Sequence, residues 1–235
     1  MQASVNWEHI DLAVFDVDGT LYDQRRLQIA MLRQLLAHAW RSRSFDTLRT
    51  LHTFRRVREA LGENPVPDFI DVQYARTAAR HHKTQDQVRA LAGEWLEQRP
   101  LPLLAACRYP HLTELFAALR TAGKQIAIFS DYPAGEKLAA LGLKADLIVC
   151  ATDQDINRLK PDPRGLLAIL QTTGVGAKRA LMIGDRADRD GKAAQRAGVA
   201  ALIRTKKPLV QFGIFNDYDD PVFQPLLAGR VARPG

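Results

Sequence analysis

Five short apolar runs set the frame for this 235-residue chain: Leu12 to Phe15, Gln125 to Phe129, Ala145 to Cys150, Ala180 to Ile183 and Ala200 to Ile203. From the second run onward they are separated by helical patterns of ten to fifteen residues. That alternation implies right-handed βαβ units and a parallel sheet covered on both faces. The punctuation agrees. Pro133 and Pro163 stand where a first helical position is expected, Asp162 is a candidate N-cap, and Gly142 closes "KLAALG" where a left-handed turn should end a helix.

Between the first two runs the pattern changes. From Gln24 to about Leu104 the chain reads as helix throughout, with "RRLQIAMLRQLLAHAW" close to a three-four repeat and three further amphipathic stretches behind it. Pro65, Pro67 and the "HHKT" turn supply the breaks, so about four helices are expected here. The fold class is therefore α/β, a Rossmann-like parallel-sheet core (1–22 and 105–235) with an inserted all-helical domain (23–104). In the tail, "DYDDPVFQPLLAG" reads as one short helix and the closing "RVARPG" as loose chain.

Composition narrows the function classes. With 46% hydrophobic and 25% charged residues the chain has the make-up of a soluble globular protein. No apolar run approaches the ~20 residues needed to cross a bilayer, and the first twenty residues carry Glu8, Asp11, Asp16 and Asp18 with no Lys or Arg, the wrong charge for a secretory signal. A cytoplasmic protein with no membrane partner is the expectation. Cys107 and Cys150 read as two inert thiols. The net charge of +7 raises the possibility of a nucleic-acid partner, but the cations come in short groups such as Arg55-Arg56 and Lys206-Lys207, without the aromatic interleaving of a stacking platform. Nucleic acid is not the expected partner, and oligomeric state is left open.

Ligands of open α/β sheets collect outside the carboxyl ends of the strands. After the first run come Asp16, Asp18, Gly19 and Thr20; after the second, Ser130 and Asp131; after the third, Lys160; after the fourth, Asp185, Asp188 and Asp190. Each of these four runs thus delivers a carboxylate, hydroxyl or ammonium to one edge, a set suited to phosphoryl transfer from a monoester. Asp16 can attack phosphorus and divide one difficult displacement into two easier ones. Asp18 can protonate the leaving oxygen and later take a proton from water; repulsion from Asp16 is expected to keep it protonated at the start. Mg²⁺ would be held by Asp16, the Asp18 carbonyl and Asp185, with Asp190 or Asp188 orienting its waters from behind. Lys160 would neutralise Asp16 and the phosphoryl oxygens, and Ser130 would bind developing charge.

These four stretches resemble the motifs of the haloacid dehalogenase-like superfamily: "DVDGT" the first, "FSD" the second, "LKPDP" the third and "GDRADRDGKAAQRAG" the fourth. The resemblance implies Asp16 as nucleophile, Asp18 as acid/base, Ser130 and Lys160 in the second and third motifs, Asp185 and Asp190 as the acids of the fourth, and Thr20, Ser130, Asp131 and Lys160 against the phosphate. The helical insertion after the first motif looks like the cap of the phosphoglycolate phosphatase-like branch. Members that dehalogenate lack an aspartate two residues after the nucleophile, so Asp18 favours phosphate chemistry. Many relatives take four residues from the first acid of the fourth motif to the second, whereas Asp185 to Asp190 is five.

The expectation is a magnesium-dependent phosphomonoester hydrolase acting on a small phosphorylated metabolite. Its rivals are a sugar-phosphate mutase, a 2-haloacid dehalogenase and a non-catalytic basic binding protein. In the insertion, Arg41 and Arg43 of "WRSRSF" are chosen as substrate contacts, on the reading that this is the loop after the first helix of the insertion. Trp40 and Trp95 are read as core, and Arg186 with Asp188 as a surface ion pair.

Overall fold

The structure is a computed structural model that describes residues 5–231; the last four residues of the "RVARPG" segment lie outside the described residues. Six strands form one parallel sheet: β1 (Leu12–Phe15), β2 (Gln125–Ser130), β3 (Leu147–Cys150), β4 (Ala180–Gly184), β5 (Ala200–Arg204) and β6 (Gly213–Phe215). Their order is β3-β2-β1-β4-β5-β6. Five coincide with the apolar runs. The sixth, three residues long, is too short to show as a period in the sequence.

Alternation along the strands divides two cores. Ala13 and Phe15 of β1 join Ile126, Ile128, Leu181 and Ile183 on one face, while Leu12 and Val14 join Ala127, Phe129 and Met182 on the other. Helix α6 (Leu112–Thr121) covers the first face through Leu112, Leu115, Phe116 and Leu119. Helices α8 (Arg164–Thr173) and α9 (Lys192–Ala197) cover the second. A sheet buried on both faces explains why its strands read as nearly unbroken apolar runs. Gly142 ends α7 (Gly135–Leu141) with a φ of 68°, and Asp162 accepts the Arg164 N–H at the start of α8.

Between β1 and β2 run α1 (Gln24–Ser42), α2 (Asp46–Glu63), α3 (Phe69–Arg80), α4 (Gln85–Ala92) and α5 (Leu101–Cys107), with a wide helical turn at Gly93–Gln98 prolonging α4. Asp23 caps α1, and Thr84 with Gln87 forms a reciprocal capping box on α4. The expected boundary at 104/105 falls inside α5. The chain re-enters the sheet region at Arg108, which pairs with Tyr22 on the outgoing strand of chain; Asp23 N–H also donates to the Cys107 carbonyl at 2.8 Å. A tail helix, α10 (Gln224–Leu227), lies within "DYDDPVFQPLLAG", the stretch that reads as one short helix.

Trp95 is buried as expected, but Trp40 is 86% exposed. The reason is the shape of the periodicity in α1. Leu27 and Met31 face inward, while Ile29, Leu32, Leu36 and Trp40 form a second apolar row on the opposite side that the described residues leave exposed.

Candidate active site

Strand β1 lies between β2 and β4, and the connections leave it in opposite directions, so the crevice at its carboxyl end is the switch point of the sheet. Asp16 is the first residue past β1, and its N–H donates to the Ile183 carbonyl of β4 at 2.9 Å, which fixes it against the neighbouring strand end. Asp185 is the first residue past β4. Gly19 between them has a φ of 91°, and a Cβ there would lie 2.3 Å from Asp185 Oδ2, so only glycine allows the first and fourth loops to meet. Thr20 Oγ1 donates to Asp16 Oδ2 at 2.9 Å. Thr20 is fully buried, and its hydroxyl orients the carboxylate rather than facing the cavity.

Lys160 is buried at the centre. Its Nζ donates to Asp16 Oδ1 at 2.5 Å, Asp190 Oδ1 at 2.6 Å and the Phe129 carbonyl at 3.2 Å. Its backbone N–H donates to Asp131 Oδ1 at 2.9 Å. Ser130 is buried at the end of β2, where its hydroxyl accepts the Tyr132 N–H at 3.2 Å.

The five-residue step from Asp185 to Asp190 has a local cause. Ala187–Gly191 forms a π turn, with Gly191 N–H donating to the Arg186 carbonyl at 3.2 Å, and this wide turn takes up the additional residue. Asp190 therefore still reaches the crevice, where its Oδ2 accepts the N–H groups of Asp185 (3.2 Å) and Arg186 (3.0 Å). Asp188 points outward to Arg186 at 2.8 Å. The Arg186–Asp188 pair is not merely a surface ornament, because Arg186 also reaches Glu59 of α2 at 3.0 Å.

Crowding of like charges sets the electrostatics. Ligand oxygens of Asp16, Asp185 and Asp190 lie within 4.8 Å of one another. Burial, followed for Asp185 by repulsion from Asp16, pushes Asp16 up to about 6 and Asp185 up to about 8. Burial also raises Asp131. Despite burial, the surrounding carboxylates hold the Lys160 ammonium well above its ordinary range, so it stays charged.

Asp18 departs from the expectation. Burial would raise its pKa, but Lys137 Nζ sits 2.6 and 2.8 Å from its two oxygens and the Tyr22 hydroxyl donates to Oδ1, so the carboxyl is held below its ordinary range. Repulsion from Asp16, the cause invoked from the sequence, is outweighed by a cation that "GEKLAAL" presents as one more solvated helix charge. Lys137 on α7 is in fact buried.

A cavity of about 290 Å³ opens in front of these groups. Its far wall comes from the helical insertion: Leu27, Met31 and Gln28 of α1, Arg55 and Glu59 of α2, and Leu96 and Leu104. Arg41 and Arg43, the substrate contacts read from the sequence, are not part of that wall. Arg41 still belongs to α1 and bonds back to the Ala37 carbonyl, and Arg43 is the left-handed C-cap of that helix; both are exposed. The site residues that sequence reasoning missed, Tyr22, Arg55, Glu59, Tyr132, Lys137 and Arg189, sit on helices or flank motifs. Of these, only Arg55 and Glu59 carried a signal, the spacing of Arg55, Arg58, Glu59 and Gly62 along one helix face.

Residues 10–198 match the family described as haloacid dehalogenase-like hydrolase. The chain is 31% identical over 222 residues to a phosphoglycolate phosphatase of Rhodospirillum rubrum, covering 88% of this chain and 86% of that protein. Among solved structures, a HAD phosphatase from Thermococcus onnurineus superposes with a TM-score of 0.64 at 20% identity, covering 96% of this chain and all of that one. A 2-haloacid dehalogenase from Pseudomonas syringae pv. Tomato gives 0.63 at 22% identity over 95% of this chain and all of that one. Phosphatase and dehalogenase thus share this fold equally.

Proposed function

The chain belongs to the haloacid dehalogenase-like hydrolases, and from that premise we propose that it is a magnesium-dependent phosphomonoester hydrolase of small phosphorylated metabolites, acting through an aspartyl phosphate on Asp16. The observation that carries this reading is the setting of Asp16: one oxygen on Lys160, the other on Thr20, and Asp185 beside it across the adjoining strand end. Membership in a hydrolase family removes the non-catalytic binding protein. Asp18 separates the two chemistries that share the fold, since a halide leaves without a proton and an alkoxide does not.

The donor set fits a small hard cation. Three carboxylates converge, and burial together with their mutual repulsion, only partly offset by Lys160 and, at Asp185, by Arg186, lets Asp16 and Asp185 hold protons to unusually high pH. Asp16, Asp185 and the backbone carbonyl of Asp18 would hold Mg²⁺, which when bound supplies charge neutralisation to the phosphoryl oxygens. Asp190 spends one oxygen on Lys160 and the other on two backbone N–H groups, which suits it to positioning rather than ligation.

The remaining work falls to side chains. Lys160 keeps Asp16 ionised and aimed. Asp16 Oδ forms a bond to phosphorus as the bond to the ester oxygen breaks; Asp18 then takes a proton from the water that releases phosphate. The ionised Asp18 is ready for that second half. For the first half it must carry a proton, which the Lys137 ion pair opposes. A helical insertion that closes over the crevice excludes bulk water, and the apolar residues of α1 serve that purpose.

The test is a phosphate-release screen over metabolite phosphates with and without magnesium. Release that needs the metal, with no isomerised sugar phosphate formed, is expected; flat activity across the library would sink the reading.

A further inference from the structure

Helix α2 turns one face to the catalytic strand ends. Arg58 donates to the Asp131 carbonyl and stacks 4.1 Å over the Tyr132 ring. One residue on, Glu59 accepts from Arg186 and Arg189, both at 3.0 Å. These bonds clamp the helix to the second and fourth loops. Arg55 stands three and four residues ahead of the two clamps, on the same face, and lines the cavity.

Every other cation lining the cavity is matched. Lys137 is held by Asp18, Lys160 by Asp16 and Asp190, Arg186 by Glu59 and Asp188, and Arg189 by Glu59. Arg55 makes no ion pair or side-chain hydrogen bond among the described residues, although it lies within Coulombic reach of the Tyr22 and Tyr132 hydroxyls. Tyr22 in turn donates to Asp18, so Arg55 stands on the side of the cavity where the leaving group must lie. In the same cavity wall, Leu27, Met31 and Leu104 cannot answer a charge. A guanidinium carried by a clamped helix, solvent-exposed, unpaired among the described residues and lining a small cavity with an apolar wall is a fork for a bidentate oxyanion.

Resting on the hydrolase reading of the same site, we infer that Arg55 binds a second anionic group, carboxylate or phosphate, on the leaving-group part of the substrate. It is then the specificity-determining residue of the insertion, in place of Arg41 and Arg43. The cavity, at the small end of ligand sites, limits that substrate to a short carbon skeleton between its two anions.

The test compares wild type with Arg55→Ala and Arg55→Lys on four phosphates: p-nitrophenyl phosphate and glycerol 1-phosphate, which carry no second anion, and phosphoglycolate and ethane-1,2-diol bisphosphate, which carry a carboxylate and a phosphate. Arg55→Ala should raise KM for at least one of the latter pair by about tenfold more than for the former, and Arg55→Lys should restore part of the difference. Whichever of the two responds names the anion. Equal changes on all four substrates, or none, would overturn the inference. Calorimetry with phosphonoacetate and ethylphosphonate reads the subsite without turnover. A preference for phosphonoacetate that Arg55→Ala abolishes supports it even if no ester is hydrolysed, a result that would instead remove the hydrolase reading; a preference that survives the substitution overturns it.

Discussion

The ammonium of Lys137 holds both carboxylate oxygens of Asp18, at 2.6 and 2.8 Å. This ion pair joins α7, a helix without a motif of its own, to the residue proposed to move protons, and on that proposal it prepares the resting site for the second half of the reaction.

Lys137→Met should therefore change the pH profile more than the fold. Losing the cation removes the cause that depresses Asp18, so its pKa rises and the protonated acid persists to higher pH. On esters with poor leaving groups the alkaline limb of kcat should move upward, while on p-nitrophenyl phosphate, which needs less help from an acid, the shift should be smaller. A profile identical to wild type on both would show that Lys137 does not govern Asp18.

Asp16→Asn should lose on the order of 10³-fold or more in kcat on an aryl phosphate, as enzymes do when a nucleophile is removed. Acid quenching of wild type during turnover should leave phosphate bound covalently to the chain, and the variant should show none. Turnover near wild type in the variant would end the covalent mechanism.

Metal and protons should compete. Asp16 and Asp185 hold protons to about 6 and about 8 in the folded chain, against an ordinary 3.8. Between those values the native state binds more protons than the unfolded one, so without a cation stability falls as pH rises from about 4 to about 8. A divalent cation displaces the same protons, and its stabilising effect grows across that window. The increase in Tm on adding millimolar Mg²⁺ should thus be larger at pH 8 than at pH 5. An equal increase at both would place the cation elsewhere.

Much of this fold was legible because a parallel sheet buried on both faces leaves uninterrupted apolar runs, and because the first four of them end in residues with chemistry to offer. Asp16, Lys160 and Asp185 could be found for that reason. Lys137 and Arg189 could not, since a buried cation on a helix has the same sequence appearance as a solvated one until its partner is known. Arg41 and Arg43 show the same ambiguity from the other side. The helix α1 simply runs farther than its apolar repeat, so residues read as a loop near the site became an exposed helix end. Trp40 was misread because α1 has two apolar rows, and the sequence does not say which one the fold uses.

The last prediction concerns how the insertion is tied to the chemistry. Arg189, 5% exposed, donates to the Lys160 carbonyl at 2.8 Å and to the Glu59 carbonyl at 2.9 Å, one residue before Asp190. It fits against α2 only because position 62 is glycine; a Cβ there would lie 1.9 Å from Arg189 Nη1. Gly62→Ala should displace the guanidinium from two carbonyls and leave its charge poorly satisfied, at a cost of about 1–3 kcal/mol. Because the same arginine borders Asp190 and ties down Lys160, kcat on p-nitrophenyl phosphate should fall as well as stability. Glu59→Gln removes the salt bridges of a half-exposed carboxylate to Arg186 and Arg189 but keeps the carbonyl contact, so it should cost less than ~1 kcal/mol. Denaturant titration and steady-state kinetics of the two variants decide the matter: if Glu59→Gln is the more damaging of the two, the buried carbonyl contacts of Arg189 are not what couples α2 to the catalytic edge.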